Sequence, residues 1–481
     1  MVVFGVGGVV NRALSFLLVP FYTRHIPARE YGALAILLIV LAALPIVLRL
    51  GLGNALLRSW YDYEEEKRPQ LATTVLVFLL ATSIPLLLLM ALLAEQGSLL
   101  LLGTEQYASH LRIICLLAFC ETFNVIPDTL MRVNNASVQY SICQTIAFLL
   151  QLLTIISAVV YWRWGIQGIL FGNLIGAVVE NSLLFAITRK YLRWGFNRSE
   201  LKAMLAFGAP LIFGRLAAIC FQSIDRFFLK YYANLRIVGL YALGNQLAAP
   251  ITLLVATPFS MIWANMQFAT MKDHDANEYY ARMLTYMVYL ASFFALPVAV
   301  LAEDTLHIFA TLRYWEAATV VPWLALAAVL DAANPVFNVG VSLKRKSYIN
   351  PIIVVVSALI NIGLNFLLIP SFGMMGAAVA TVISYIMMCA IRFFIAQHLL
   401  PISYEWGRIL KIVLVCLALF MITRVIIIER PIISFCTRLP FALMMPFALV
   451  PLGFYDEKER AKARELFRRV KDYLRSPVRA Y

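Results

Sequence analysis

Apolar stretches of about twenty residues recur along the whole chain, and each is long enough to cross roughly 30 Å of hydrocarbon as a helix. Fourteen can be counted: 2–22, 31–53, 71–94, 108–131, 138–161, 164–188, 203–228, 236–263, 281–302, 317–340, 347–369, 372–398, 407–428 and 432–454. A soluble fold has no use for so many. Only 14% of the residues are charged, against about 25% in soluble domains. The expected fold class is therefore an all-α integral membrane protein of about 14 transmembrane helices.

The chain is also written twice. Tyr140 to Gly168 runs into a Trp-Gly-Ile-Gln-Gly turn with Gly165 and Gly168. Tyr348 to Gly376 runs into Phe-Gly-Met-Met-Gly with Gly373 and Gly376, 208 residues later. The same offset joins Leu93-Ala94-Glu95 to Leu301-Ala302-Glu303, and Pro127 to Pro335. Near the start it is 207, joining Phe21, Arg29 and Gly32 to Phe228, Arg236 and Gly239. In a chain this apolar, duplication is the mark of a transporter with a site between two lobes. Each copy holds six helices, an even number, so the copies enter the membrane with the same orientation. The expected organisation is an N-lobe over 1–188, a cytoplasmic linker over 189–202 and a C-lobe over 203–400. Two unpaired helices follow over 401–454, then a basic amphipathic tail over 455–481.

Lys and Arg in the connections set the orientation. The even-numbered gaps hold Arg58, Lys67 and Arg68, then Arg189, Lys190, Arg193, Arg198 and Lys202, then Lys344, Arg345 and Lys346. The tail holds nine more cations, from Lys458 to Arg479. Both termini are expected in the cytoplasm, in a multi-pass inner-membrane protein. The net charge of +14 is then a membrane-edge charge facing anionic lipid, and it does not indicate a nucleic-acid partner. The seven cysteines fall in apolar helices without CxxC spacing and read as small core residues. No cleavable signal is evident. In the tail, Leu466, Phe467, Val470, Tyr473 and Leu474 recur at helical spacing after Asp456, a candidate N-cap. They suit an interfacial helix or a solvated tail.

A charge at mid-membrane costs roughly 2.5–3.5 kcal/mol on insertion scales, so each one needs a reason. Arg12 sits near the middle of the first helix beside Asn11, and Arg215 near the middle of the seventh. Gln222 and Arg226 share a stripe with Arg215, and Asp225 lies beside it. The fourth helix reads Glu121-x-x-Asn124-x-x-x-Asp128 and the tenth Asp331-x-x-Asn334-x-x-x-Asn338. Glu180 in the sixth helix and Arg49 at the inner end of the second complete the set. One reading is a polar cavity in which Arg12, Arg215 and Arg49 hold a pyrophosphate, for which a planar, permanently charged fork is suited. Asn11, Gln222, Asn124 and Asn334 would then contact sugar hydroxyls. Glu121, Asp128, Glu180, Asp225 and Asp331 are coupling-ion or charge-pair candidates. The other reading pairs each Arg with an acid as glue between helices; Arg49, Arg132 and Arg392 also lie near enough to the inner face to snorkel. Gly208, Pro210 and Gly214, with Gly5, Gly7 and Gly8, are candidate bending points or close-packing sites. No Walker, HExxH, GxSxG or paired-Cys metal motif is present, so no enzyme activity, metal or cofactor is expected.

Four motifs, in this order and spacing, resemble those of the Wzx-type polysaccharide and O-antigen flippases, within the multidrug/oligosaccharidyl-lipid/polysaccharide exporter superfamily. They are Pro20-Phe-Tyr-Thr-Arg-His-Ile-Pro-Ala-Arg-Glu-Tyr-Gly32, Leu50-Gly-Leu-Gly-Asn-Ala-Leu-Leu-Arg58, Phe207-Gly-Ala-Pro210, and Ile224-Asp-Arg226 followed by Val238-Gly-Leu-Tyr241. The resemblance implies a V-shaped pair of six-helix lobes around a cavity that opens alternately to each side. It implies a cargo of saccharide on polyprenyl pyrophosphate, moved from inner to outer leaflet. It places Arg12 and Arg215 where cavity arginines of relatives are expected. It implies membrane lipid as a further partner, and makes a polysaccharide polymerase or glycosyltransferase a candidate one. Two rivals stand beside it: a cation-coupled multidrug exporter of the same superfamily, and a membrane scaffold for polysaccharide assembly that transports nothing.

Overall fold

The computed structural model describes residues 19–66, 68–457, 459–461 and 465. Among these, every regular element is a helix. The N-terminal half comprises α1 (Val19–His25), α2 (Ala28–Arg49), α3 (Leu52–Asp62), α4 (Arg68–Leu92), α5 (Ala94–Leu102), α6 (Ala108–Val133), α7 (Ser137–Ile156) and α8 (Gly165–Thr188). The C-terminal half comprises α9 (Arg198–Gly208), α10 (Pro210–Tyr232), α11 (Leu235–Ile251), α12 (Thr257–Ala269), α13 (Ala276–Val300), α14 (Ala302–Phe309), α15 (Val321–Phe337), α16 (Val339–Leu343) and α17 (Ile349–Leu399). Then come α18 (Trp406–Val425), α19 (Pro431–Leu443) and α20 (Met445–Ala448).

Among the described residues, nine helical stretches are long and apolar enough to span a membrane, or ten if the bent pair α9–α10 is one span. The count of fourteen is therefore not reproduced, and local chemistry explains why. The first expected span lies mostly outside the described residues. The expected spans 347–369 and 372–398 are both helical and are joined by a turn at Gly373 (φ 55°), so that the stretch α17 counts once although it holds two helices. The expected span 432–454 breaks after the 13 residues of α19. There Pro446 has no amide hydrogen with which to continue the ladder back to the carbonyl of Ala442. The expected linker 189–202 ends early, because Asn197 caps α9 by accepting from the amides of Ser199 and Glu200. Of the tail, Asp456 does stand at a helix start, its amide donating back to Glu459 Oε2 at 2.9 Å. Leu466, Phe467, Val470, Tyr473 and Leu474 lie outside the described residues.

The duplication is visible in backbone geometry. Gly165 and Gly373, 208 apart, carry φ of 54° and 55°, a left-handed turn that favours glycine. Asn135 (φ 54°) and Arg345 (φ 55°) end α6 and α16 in the same way. In each, an amide five residues on, Ala136 or Lys346, donates to the carbonyl of Met131 or Val341 at 3.0 Å. The short helices α5 and α14 also begin 208 residues apart.

The halves touch at both ends of the bundle. At the end away from the basic loops, α2 crosses α11 at Gly32 and Gly239. A Cβ on Gly32 would overlap the carbonyl of Leu235, and one on Gly239 that of Ala28, so the backbones themselves are in contact. Beside this crossing, Thr311 Oγ1 donates to Thr23 O at 3.1 Å and the buried Tyr314 hydroxyl to Ile26 O at 2.9 Å. At the basic end, Gly51 lies against Gly208. There α9 packs its Leu201 and Met204 into the N-terminal half, with Leu52, Leu56 and Leu130, whereas α10 packs along α17. The bend of 41° between α9 and α10 thus falls where the chain passes from one half to the other.

Candidate functional site

The sequence ends α2 with Arg49 and then turns the chain through Leu50 and Gly51, both left-handed at φ 47° and 73°. That turn aims Arg49 across at α6. Its Nη2 donates to the carbonyl of Glu121, and its Nε to that of Thr122 at 3.3 Å. The guanidinium is therefore held by backbone oxygens, with the Glu121 and Asp128 carboxylates near enough to attract it. Further along α6, Arg132 Nε donates to Asp128 Oδ1 at 3.0 Å. From the other half, α10 contributes Arg215, which has no hydrogen bond or ion pair among the described residues.

Arg49, Asp128, Arg132 and Arg215 line one cavity of about 200 Å³, together with Asn54, Thr129 and apolar residues of α2, α3, α6 and α10. Three guanidinium groups and one carboxylate line the hollow, and that carboxylate is engaged by Arg132, so the lining is net cationic. At about 30 Å³ of liquid volume per water, the hollow has room for a phosphate or pyrophosphate, and none for an oligosaccharide beside it. Arg215 stands five residues after Pro210, roughly 8 Å along the helix. It thus lies toward the basic end of α10 and not at its midpoint as expected, because the chain before Pro210 bends away as α9.

The acids and amides expected to share this cavity separate into three places. Asn124 Nδ2 donates to Glu180 Oε1 at 3.3 Å, joining α6 to α8. Gln144 Nε2 donates to the Tyr140 hydroxyl at 3.1 Å, that hydroxyl bonds Asp128, and Gln144 also hydrogen-bonds Glu180, so α7 joins the same node. The N-terminal node thus reaches the cavity through Asp128. Tyr140 and Gln144 do not stand out in the sequence, since a lone Tyr or Gln in an apolar helix carries no spacing signal. Glu121 accepts the Arg49 hydrogen bond on its carbonyl, while its carboxylate attracts the same guanidinium without a hydrogen bond.

The second place is inside the C-terminal half. Asp331, Asn334 and Arg392 line a separate cavity of about 500 Å³ with Thr252 and Ser260. Asn334 Nδ2 is spent on Leu330 O at 3.2 Å, and Arg392 Nη1 reaches Asn334 O at 3.5 Å. The repeated acid–Asn stripe therefore leads to two separate cavities, because α15 turns that face toward α12 and α17. The third place surrounds Asp225, which is buried and hydrogen-bonded to Tyr241, whose hydroxyl meets Thr381 Oγ1 at 3.3 Å. Nearby on α17, Asn365 Nδ2 donates to Asn361 Oδ1 at 2.9 Å and Asn361 Nδ2 to Ser384 Oγ at 3.1 Å. Asp225 forms no ion pair with Arg226, the pairing that the glue reading expects. It accepts that residue's amide instead, at 2.8 Å. Gln222 is exposed and lines neither cavity. Arg12 and Asn11 lie outside the described residues.

Among the described residues, two duplicated helical halves meet at both ends, with a hollow lined by cations from both between them. The sequence profile of the family described as "Polysaccharide biosynthesis protein" matches residues 22–318. The chain belongs to that family of polysaccharide biosynthesis proteins. Among curated proteins it is 27% identical over 246 residues to the succinoglycan biosynthesis transport protein ExoT of Rhizobium meliloti. That match covers 49% of this chain and 46% of ExoT. The chain spans less than two thirds of the length of the curated relatives it matches. Among solved structures, the lipid II flippase MurJ in an inward closed conformation superposes with a TM-score of 0.76 at 14% identity. The superposition covers 94% of this chain and 100% of MurJ. An inward-facing multidrug resistance MATE family transporter gives 0.61 at 14% identity, over 81% of this chain and 97% of that one. At these identities the likeness is one of fold.

Proposed function

We propose that the protein is a non-enzymatic flippase that carries a polyprenyl-pyrophosphate-linked saccharide from the inner to the outer leaflet of a cytoplasmic membrane, with its basic end and both termini in the cytoplasm. The observation that carries this reading is the cavity shared by Arg49 and Arg215, one from each half. A pyrophosphate bridging them would make the closing of the halves depend on cargo. The saccharide enters only when the halves part at the basic end, because the closed hollow is too small for it. The polyprenyl tail stays in lipid. Asp128 and Glu180, joined through Tyr140 and Gln144, form the best connected acid node for a coupling cation; Asp331 and Asp225 are the candidates in the other half.

A multidrug exporter shares the fold but is less well supported, since the cationic cavity repels cationic drugs. A scaffold without cargo leaves the net cationic lining without a task. In cells that depend on this protein for surface polysaccharide, Arg215→Ala should abolish its export while the protein still inserts. Wild-type polysaccharide from that variant would remove Arg215 from the site.

A further inference from the structure

On the outside of the N-terminal half, Thr73, Leu76, Val77, Leu80, Ala81, Ile84 and Pro85 form one stripe of α4, at helical spacing. With Arg189, Leu192, Arg193 and Trp194 they line a groove of about 700 Å³. The segment after α8 is fastened there: Asn197 N donates to Thr74 Oγ1 at 3.1 Å, and Gly195 lies against Gln70. From Thr73 to Pro85 the stripe rises twelve steps, roughly 18 Å at 1.5 Å per residue. One leaflet of a roughly 30 Å hydrocarbon core is about 15 Å deep. The groove thus runs the depth of one leaflet, and both its cations stand at the basic end. Neither Arg189 nor Arg193 has an ion-pair partner among the described residues. Trp194, 93% exposed, stands beside them, an amphipathic ring of the kind that marks the membrane interface.

We propose that this groove binds one anionic phospholipid of the leaflet at the basic end, its phosphodiester between Arg189 and Arg193 and one acyl chain along α4. A soluble ligand or a protein partner does not fit, because the long axis of the groove lies in hydrocarbon. A zwitterionic lipid fills the groove but leaves the two guanidinium groups without a net counter-charge. The site is independent of the cargo cavity. Its occupant would hold the segment that connects the halves against α4, next to the bend between α9 and α10.

The test titrates phosphatidylglycerol and phosphatidylcholine of identical chains onto the delipidated full-length protein, with bound lipid counted by native mass spectrometry. Two surface cations at about 1 kcal/mol each correspond to a preference of about 30-fold for phosphatidylglycerol. Arg189→Gln with Arg193→Gln should remove that preference and leave phosphatidylcholine binding unchanged. Lys272→Gln, an exposed cation away from the groove, should keep the preference. Ala81→Trp, which fills the groove from an exposed position, should weaken both lipids. A preference that survives in the double variant overturns the site. Equal loss in Lys272→Gln would reduce it to general surface potential, and stronger competition by a polyprenyl phosphate would give the groove to a different lipid. Either result overturns the proposal.

Discussion

At the scale of single residues, the informative groups are those that bind across the two halves. Tyr314 is fully buried and donates to Ile26 O; its loss leaves that carbonyl without its donor in a site closed to water. Tyr314→Phe should cost about 1 kcal/mol of the closed arrangement, read as a Tm lower by a few degrees and faster opening at that end. An unchanged Tm would mean that the carbonyl finds another donor. Arg49, Asp128 and Arg215 are legible in the sequence, because a charge inside a membrane helix demands an explanation. The grouping of Gln222, Asn124, Asn334 and Asp331 is not. A stripe of spaced residues gives the face of a helix but not which neighbour that face meets, and α15 meets α12 and α17 where the cargo reading needs the opposite half.

At the scale of elements, glycine does the work at the crossing of α2 and α11. Gly239→Val would drive a side chain into the carbonyl of Ala28, so the two helices must separate. In an Ile26→Cys background, that variant should label several-fold faster with a membrane-impermeant thiol reagent, applied from the face opposite the basic loops. Equal labelling would show that the crossing can absorb the side chain elsewhere. The junction of α9 and α10 is the other moving part, since α9 packs on one half and α10 on the other. Pro210→Ala restores an amide there and lets the helix run on through Ala209. Transport should fall while insertion is unaffected; full transport would exclude this bend as the hinge. Glycines 165 and 373 are readable in advance because their left-handed turn is a local constraint, and glycines 32 and 239 because the duplication repeats them. The break after Leu443 is not readable from hydropathy, since the residues on both sides are apolar.

At the scale of the whole molecule, the helices added after the duplication are fastened to the C-terminal half at both ends. At the end away from the basic loops, the buried Arg438 of α19 pairs with Asp304 at 3.3 Å, and Arg424 of α18 pairs with Glu303 at 3.3 Å. At the basic end, Arg408 of α18 binds Glu405 at 3.2 Å and Glu459 at 2.7 Å, and Tyr286 of α13 donates to Glu459 at 2.6 Å. Burial alone would raise the Glu459 pKa, but these hydrogen bonds outweigh it and hold the carboxyl below its ordinary range. Its contribution is therefore present above the unfolded value of about 4.3 and is lost as the pH falls through the lower folded value. Docking of the segment after Phe454 should hold at neutral pH and fail only below about pH 4, whereas Arg408→Gln should release it at neutral pH; hydrogen exchange at residues 455–461 would read both. The membrane class, the duplication and the attached pair of helices follow from hydropathy and repeat spacing. The closure at each end does not, because it depends on contacts between residues nearly 300 apart such as Thr23 and Thr311. The central claim is that opposed guanidinium groups from the two halves hold the phosphates of a lipid-linked saccharide. Proteoliposomes carrying a fluorescent polyprenyl-pyrophosphate-linked sugar test it directly. Wild type should flip the lipid, Arg215→Ala should lose about 10- to 100-fold for the roughly 1.5–3 kcal/mol of a charged hydrogen bond, and Arg215→Lys should fall between. Equal rates for wild type and Arg215→Ala would contradict the account.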